Sequence, residues 1–157
     1  KWHIKMASIR SRIGENMEDR YLFKAKRIDN GEWVQGALFN GESHCIIGQE
    51  IKFSPYTEHE CKIVGNEVDR DTICQCTGLK DRNGKLIWEN DIVSYWDSYS
   101  TENGLAEADC IGKVVWDDET ISFQVTNRLS AESYEVLDEC SVIGNIFDNP
   151  ELLESEG

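Results

Sequence analysis

Six side chains in this sequence have the donor chemistry to hold a soft metal: His44, Cys45, His59, Cys61, Cys74 and Cys76. Zinc knuckles take their ligands from pairs spaced by two to four residues. Here the close thiol pair is Cys74-x-Cys76, and alternate residues of a strand fall on one face. A free thiol behaves as a small hydrophobe, so the pair reads as two core positions, and no metal or cofactor is assigned. Asp117-Asp118-Glu119 gathers three carboxylates, as a divalent cation or a shared proton requires. No Asp-x-Asp-x-Asp-Gly loop surrounds them, and three acids between two strands suit a hairpin turn. Asp81 and Asp91 stand beside turns, where short acids bond their own backbone. For nucleophilic chemistry there is no Gly-x-Ser-x-Gly elbow and no local cysteine-protease signature. No Gly-x-Gly-x-x-Gly or Walker loop occurs either. No catalytic residue is assigned, and the expectation is a protein that is not an enzyme.

The elements that would position these groups are short strands. Asn83-Gly84 is the dipeptide of a type I′ turn, and it is expected to join Thr77–Lys80 to Leu86-Ile87-Trp88. Glu89-Asn90-Asp91 then turns the chain into Ile92-Val93. Asp29-Asn30-Gly31 makes a second hairpin between Tyr21–Lys26 and Glu32–Leu38. Thr72–Cys76 alternates as a half-buried strand does, and further strands are expected at Gly112–Trp116, Thr120–Val125, Tyr134–Leu137 and Ser141–Ile146. Residues 97–110 carry few strand signals and read as a long, flexible acidic loop. Asn149 as cap, Pro150 in the first helical position and Glu151 in the first turn signal one short C-terminal helical turn. The aromatics Trp33, Trp88, Tyr95, Trp96, Trp116 and Phe123 lie on expected strands. Tyr95 and Trp96 point to opposite faces, which leaves one of them for the surface.

The chain has 157 residues and a formal charge of −14. Residues 1–27 hold eight bases against three acids, and residues 28–157 hold eight against twenty-seven. A body this acidic repels a phosphate backbone, so direct nucleic-acid binding is not expected. No run approaches the roughly 18 apolar residues that span a bilayer, and no apolar signal segment comes after the basic start. The expected setting is the cytosol, with the six cysteines as thiols. Residues 1–16 differ in composition from the rest of the chain and read as a leader or an appended segment. Met17 looks like a natural start, which makes residues 17–157 the folded body.

The run Gln75-Cys76-Thr77-Gly78-Leu79-Lys80-Asp81-Arg82-Asn83-Gly84-Lys85-Leu86-Ile87-Trp88-Glu89-Asn90-Asp91-Ile92-Val93 resembles the signature of the YopX family of small phage and prophage proteins. Gly112–Trp116, Val142–Leu153 and the start at Met17 also resemble the family. Asn90 departs from the glycine expected before Asp91, and Cys76 departs from an aromatic, which places Cys76 in a core. The resemblance implies a β-rich protein of bacterial cytosol and supplies no catalytic residue. The expected fold is mainly β, with small antiparallel barrels, SH3-like in part, and one C-terminal helical turn. The expected function is that of a non-enzymatic phage accessory protein acting through protein contacts and self-associating. The alternative is an acidic decoy that mimics DNA and occupies a host DNA-binding protein.

Overall fold

The computed structural model describes residues 17–53, 61–101, 104–127, 133–135 and 139–154. The leader at 1–16, and with it His59, lies outside the described residues. Strands make up 61% of the chain and helical turns 9%, so the fold is mainly β. Eleven strands are described: β1 (Phe23–Lys26), β2 (Trp33–Asn40), β3 (Cys45–Phe53), β4 (Cys61–Glu67), β5 (Cys74–Lys80), β6 (Leu86–Trp88), β7 (Asp91–Thr101), β8 (Gly104–Asp117), β9 (Ser122–Thr126), β10 (Ser133–Glu135) and β11 (Ser141–Asn145). They form two sheets, ordered β4-β3-β2-β1-β5-β6 and β10-β9-β8-β7-β11. Barrel closure is not among the described pairings, in which each sheet has two end strands. Every described pairing is antiparallel.

The chain gathers into two compact units, one over Glu18–Cys76 and one containing Thr77–Gly157. Ala25, Cys45, Ile47 and Val68 are buried together in the first, with Phe23, Val34, Leu38 and Ile73 packed on them. Neighbouring strands approach closely there because glycines face one another. A Cβ on Gly65 would meet the Ile47 carbonyl oxygen at 2.3 Å, and one on Gly36 would meet that of Gly48 at 2.3 Å. A 3-10 turn over Arg70–Thr72 returns the chain to β1. The Thr72 hydroxyl donates to the Asp69 carbonyl at 2.8 Å and accepts the Lys26 N–H at 2.9 Å. The turn and strand are thus joined through one buried side chain.

The second unit is centred on Ile87, Val93, Tyr95, Val114, Val125 and Cys140, with Leu79, Cys110, Phe123 and Val142 against them. Its dominant element corrects the expectation for residues 97–110. Where a loop is expected, β7 and β8 pair without a shift from Ile92↔Lys113 out to Thr101↔Gly104. The C-terminal turn forms at Pro150–Leu153 with proline at its start, as expected. Asn149 does not cap it with its side chain; its Oδ1 instead accepts the Asn145 N–H at 3.4 Å. No helix among the described residues is long and apolar enough to cross a membrane.

Candidate functional site

Asp81 is the carboxylate that the second unit is tied to. It is only 5% exposed. Oδ1 accepts the N–H groups of Asn83 at 2.8 Å and Lys85 at 2.9 Å. Oδ2 accepts the N–H of Val142 at 3.0 Å, from a strand 61 residues away. The main chain closes the same hairpin, with Asp81 N–H donating to the Lys85 carbonyl at 2.8 Å and Gly84 N–H to the Asp81 carbonyl at 2.9 Å. Gly84 alone of the Asn-Gly pair has positive φ, at 81°. The turn is therefore a type I turn followed by a left-handed glycine, a three-residue loop, and not the expected type I′ pair. Arg82 reinforces it: its N–H donates to the Cys140 carbonyl at 3.0 Å, and its guanidinium donates to the Glu139 carbonyl. Burial pushes the Asp81 carboxyl up. The donors Val142, Lys85 and Asn83 together outweigh that, and its pKa is held below the ordinary carboxylate value.

The rest of the signature is used the same way. Thr77 Oγ1 donates to the Ile87 carbonyl at 2.8 Å and accepts the Leu79 N–H at 3.1 Å. Asp91, 2% exposed, accepts the Trp88 N–H at 2.9 Å. Asn90 takes φ 65°, the left-handed conformation that explains why glycine suits this position. Its N–H donates to the Val114 carbonyl at 2.8 Å, and its carbonyl accepts the Ile146 N–H at 3.1 Å. The acids beside turns thus bond the backbone, as the sequence suggests. The reach of Asp81 to Val142 is not visible there, because nothing local in sequence marks a partner so distant.

Among the described residues no three His, Cys, Asp or Glu side chains gather at one point. Cys45 is buried and donates its thiol to Asn40 Oδ1 at 3.2 Å, and buried Cys74 donates to the Thr72 carbonyl at 3.4 Å. Cys76 is buried as expected. His44 is exposed, with Nδ1 2.6 Å from Glu67 Oε1. Cys61 lies in β4, and nothing is assigned to its side chain. Asp117 caps its own turn. The Thr120 hydroxyl at 2.8 Å and the Glu119 N–H at 2.9 Å bond its carboxylate and lower its pKa.

An open cleft of about 480 Å³ on the first unit is lined by Lys26, Arg27, Ser43, Cys45, Glu67, Asp69 and Arg70, among others. Its charges are committed within the fold. Arg27 Nε donates to Asp29 at 2.8 Å, Arg70 to the Gly41 carbonyl at 2.9 Å, and Asp69 accepts the Asp71 N–H at 3.1 Å. The clearest unused chemistry lies on the second unit as exposed apolar surface. Trp96 is 57% exposed, Trp116 42% and Ile121 75%. Tyr95 is buried and Trp96 exposed, the alternation expected of the pair. Trp116 is held in place by its indole N–H on Asp118 at 2.9 Å and by an edge contact with Phe123 at 5.1 Å.

These features define a small, mainly β protein whose signature residues fasten a hairpin rather than surround a substrate. The YopX protein family model matches residues 22–154, and the chain belongs to that family. It is similar to protein EF1440 from Enterococcus faecalis, known from a crystal structure. The two are 29% identical with a TM-score of 0.50, over 83% of this chain and 96% of that one. No curated protein matches the chain.

Proposed function

We infer that this is a non-enzymatic accessory protein of a phage or prophage, which acts in the bacterial cytosol through protein contacts and self-associates. The observation that carries the reading is the exposure of Trp96, Trp116 and Ile121 on one unit. Large exposed apolar residues, tryptophan above all, are the anchors of protein interfaces. The shifted carboxylates Asp81 and Asp117 support it too, since their oxygens are engaged by backbone and hydroxyl donors. Light scattering at micromolar concentration tests self-association. The expected mass is a multiple of 18.0 kDa; a strictly monomeric mass counts against that part of the reading.

A second reading is the acidic decoy for a DNA-binding protein. The placement of charge favours it: residues 77–157 hold five bases and eighteen acids, a net of −13, whereas residues 18–76 hold seven and eleven, a net of −4. Pull-down from host lysate with and without competing DNA distinguishes the two. DNA displaces the partner of a decoy and leaves the partner of a contact protein in place.

A further inference from the structure

We propose that the ribbon projecting from the second sheet, Tyr95–Thr101 of β7 with Gly104–Cys110 of β8, is a docking edge for an extended Lys/Arg-rich segment of another protein. The segment adds to the ribbon as a third strand. β11 covers β7 only across Asp91–Ser94, and β9 covers β8 only across Lys113–Asp117. The β7–β8 ladder continues for seven further rungs, from Tyr95↔Cys110 to Thr101↔Gly104. Among the described residues no third strand pairs with those rungs. At about 3.4 Å per residue the ribbon extends roughly 20 Å beyond its neighbours.

Two strands alone are marginally stable in water, and each free edge presents a row of N–H and C=O groups that template another strand. Edges meant to stay empty are blunted by proline, lysine or a bulge. Residues 95–112 contain no proline, lysine or arginine, and the register runs without a shift. The same residues contain four acids, Asp97, Glu102, Glu107 and Asp109; the side chains of Glu107 and Asp109 are exposed. Pairing two copies along this edge would bring like charges together, whereas a basic strand is complementary. Trp96, opposite Asp109 near the base of the ribbon, supplies an exposed aromatic anchor. Main-chain pairing would supply affinity, and Trp96 with the acids would supply selectivity.

The inference rests on the protein-contact reading but not on self-association, so the two fail separately. The test is amide hydrogen exchange on the full chain with a synthetic ten-residue peptide that alternates lysine with valine. A glutamate–valine peptide and a lysine peptide interrupted by proline serve as controls. The expected result is at least tenfold slower exchange at alternate amides along one edge of 95–101 or 104–110, with the lysine–valine peptide only. Binding is expected to weaken at least fivefold in the double variant E107K/D109K, in Trp96→Ser, and in 0.5 M NaCl. Absence of protection overturns the proposal, as does protection without alternation or equal protection by the glutamate peptide. So does edge protection that rises with protein concentration in the absence of peptide, since a second copy is then the occupant. The wild-type comparison among peptides and salt concentrations stands even where a variant fails to fold.

Discussion

Asp81 joins two segments of the second unit that are far apart in sequence, and its worth can be measured. Replacement by alanine leaves the N–H groups of Asn83, Lys85 and Val142 without their acceptor. Each buried, unsatisfied donor costs about 1–3 kcal/mol, and the three are not additive. Asp81→Ala is therefore expected to lower stability in urea unfolding by about 3 kcal/mol, and a loss under about 1 kcal/mol would show that the staple is dispensable. The direction with pH comes from the lowered pKa. A carboxyl whose folded pKa lies below its unfolded value of about 3.9 contributes fully above that value, and the contribution is lost as pH falls through the folded pKa. The stability gap between wild type and Asp81→Asn is thus expected to be constant near neutrality and to shrink below about pH 4. Ile121 is the opposite kind of residue. It is β-branched, 75% exposed and held at φ 53°, a conformation that costs an L-residue roughly 1–2 kcal/mol. Ile121→Gly releases that strain and loses little burial, although glycine costs about 0.5–1 kcal/mol in chain entropy. A net gain of about 0.5–1 kcal/mol is expected, read as a higher melting temperature; a lower one would mean that the side chain packs on something the fold needs.

At the scale of elements, the sequence announces its turns better than its longest hairpin. Asp29-Asn30-Gly31, Asn83-Gly84 and Asp117-Asp118-Glu119 are legible because turn chemistry is local: a glycine for positive φ and a short acid for the exposed N–H groups. The turn type at Asn83-Gly84 is not legible, since the choice between a two-residue and a three-residue loop depends on where Asp81 N–H finds its acceptor. Residues 97–110 read as a loop because a ribbon without a covering layer has no apolar alternation to reveal it. The available signal is Asn103-Gly104 midway along the stretch, the same dipeptide that marks the signature hairpin. The candidate site is legible in part for the same reason. Asp81 stands out beside its turn, whereas its bond to Val142 depends on the register of β11. Glycine spacing carries a prediction at this scale as well. β3 and β4 shift register between Gly48 and Glu50, and the added Cβ of Gly65→Ala would lie 2.3 Å from the Ile47 carbonyl oxygen. Backbone cannot yield as a flexible side chain does, so the strands must separate. A loss of about 1–3 kcal/mol is expected, as for other overpacked sites, with faster amide exchange along β3 and β4. Unchanged exchange there would show that the two strands are not held at the spacing described.

The charge of the whole molecule sets a constraint that no single contact reveals. With 30 acids against 16 bases, the native fold confines carboxylates that the unfolded chain spreads apart, and such self-repulsion favours unfolding. Local bonds offset little of it. Arg27–Asp29 and Lys52–Glu50 are ion pairs at the surface, where each contributes between nothing and about 1 kcal/mol. The remaining excess acts over distances that salt controls, since the Debye length falls from about 30 Å at 0.01 M to about 3 Å at 1 M. Raising NaCl from about 0.01 M to about 0.5 M is therefore expected to move the urea midpoint upward. Urea is the right denaturant because it adds no ions of its own. The same addition is expected to weaken binding of a basic strand to the β7–β8 ribbon and to strengthen association between copies of this chain. The two kinds of contact can therefore be told apart by the sign of their salt dependence. A midpoint that falls or stays flat with added salt would show that the carboxylates lie too far apart in the native state to repel, and would remove the electrostatic argument against pairing two copies along that edge.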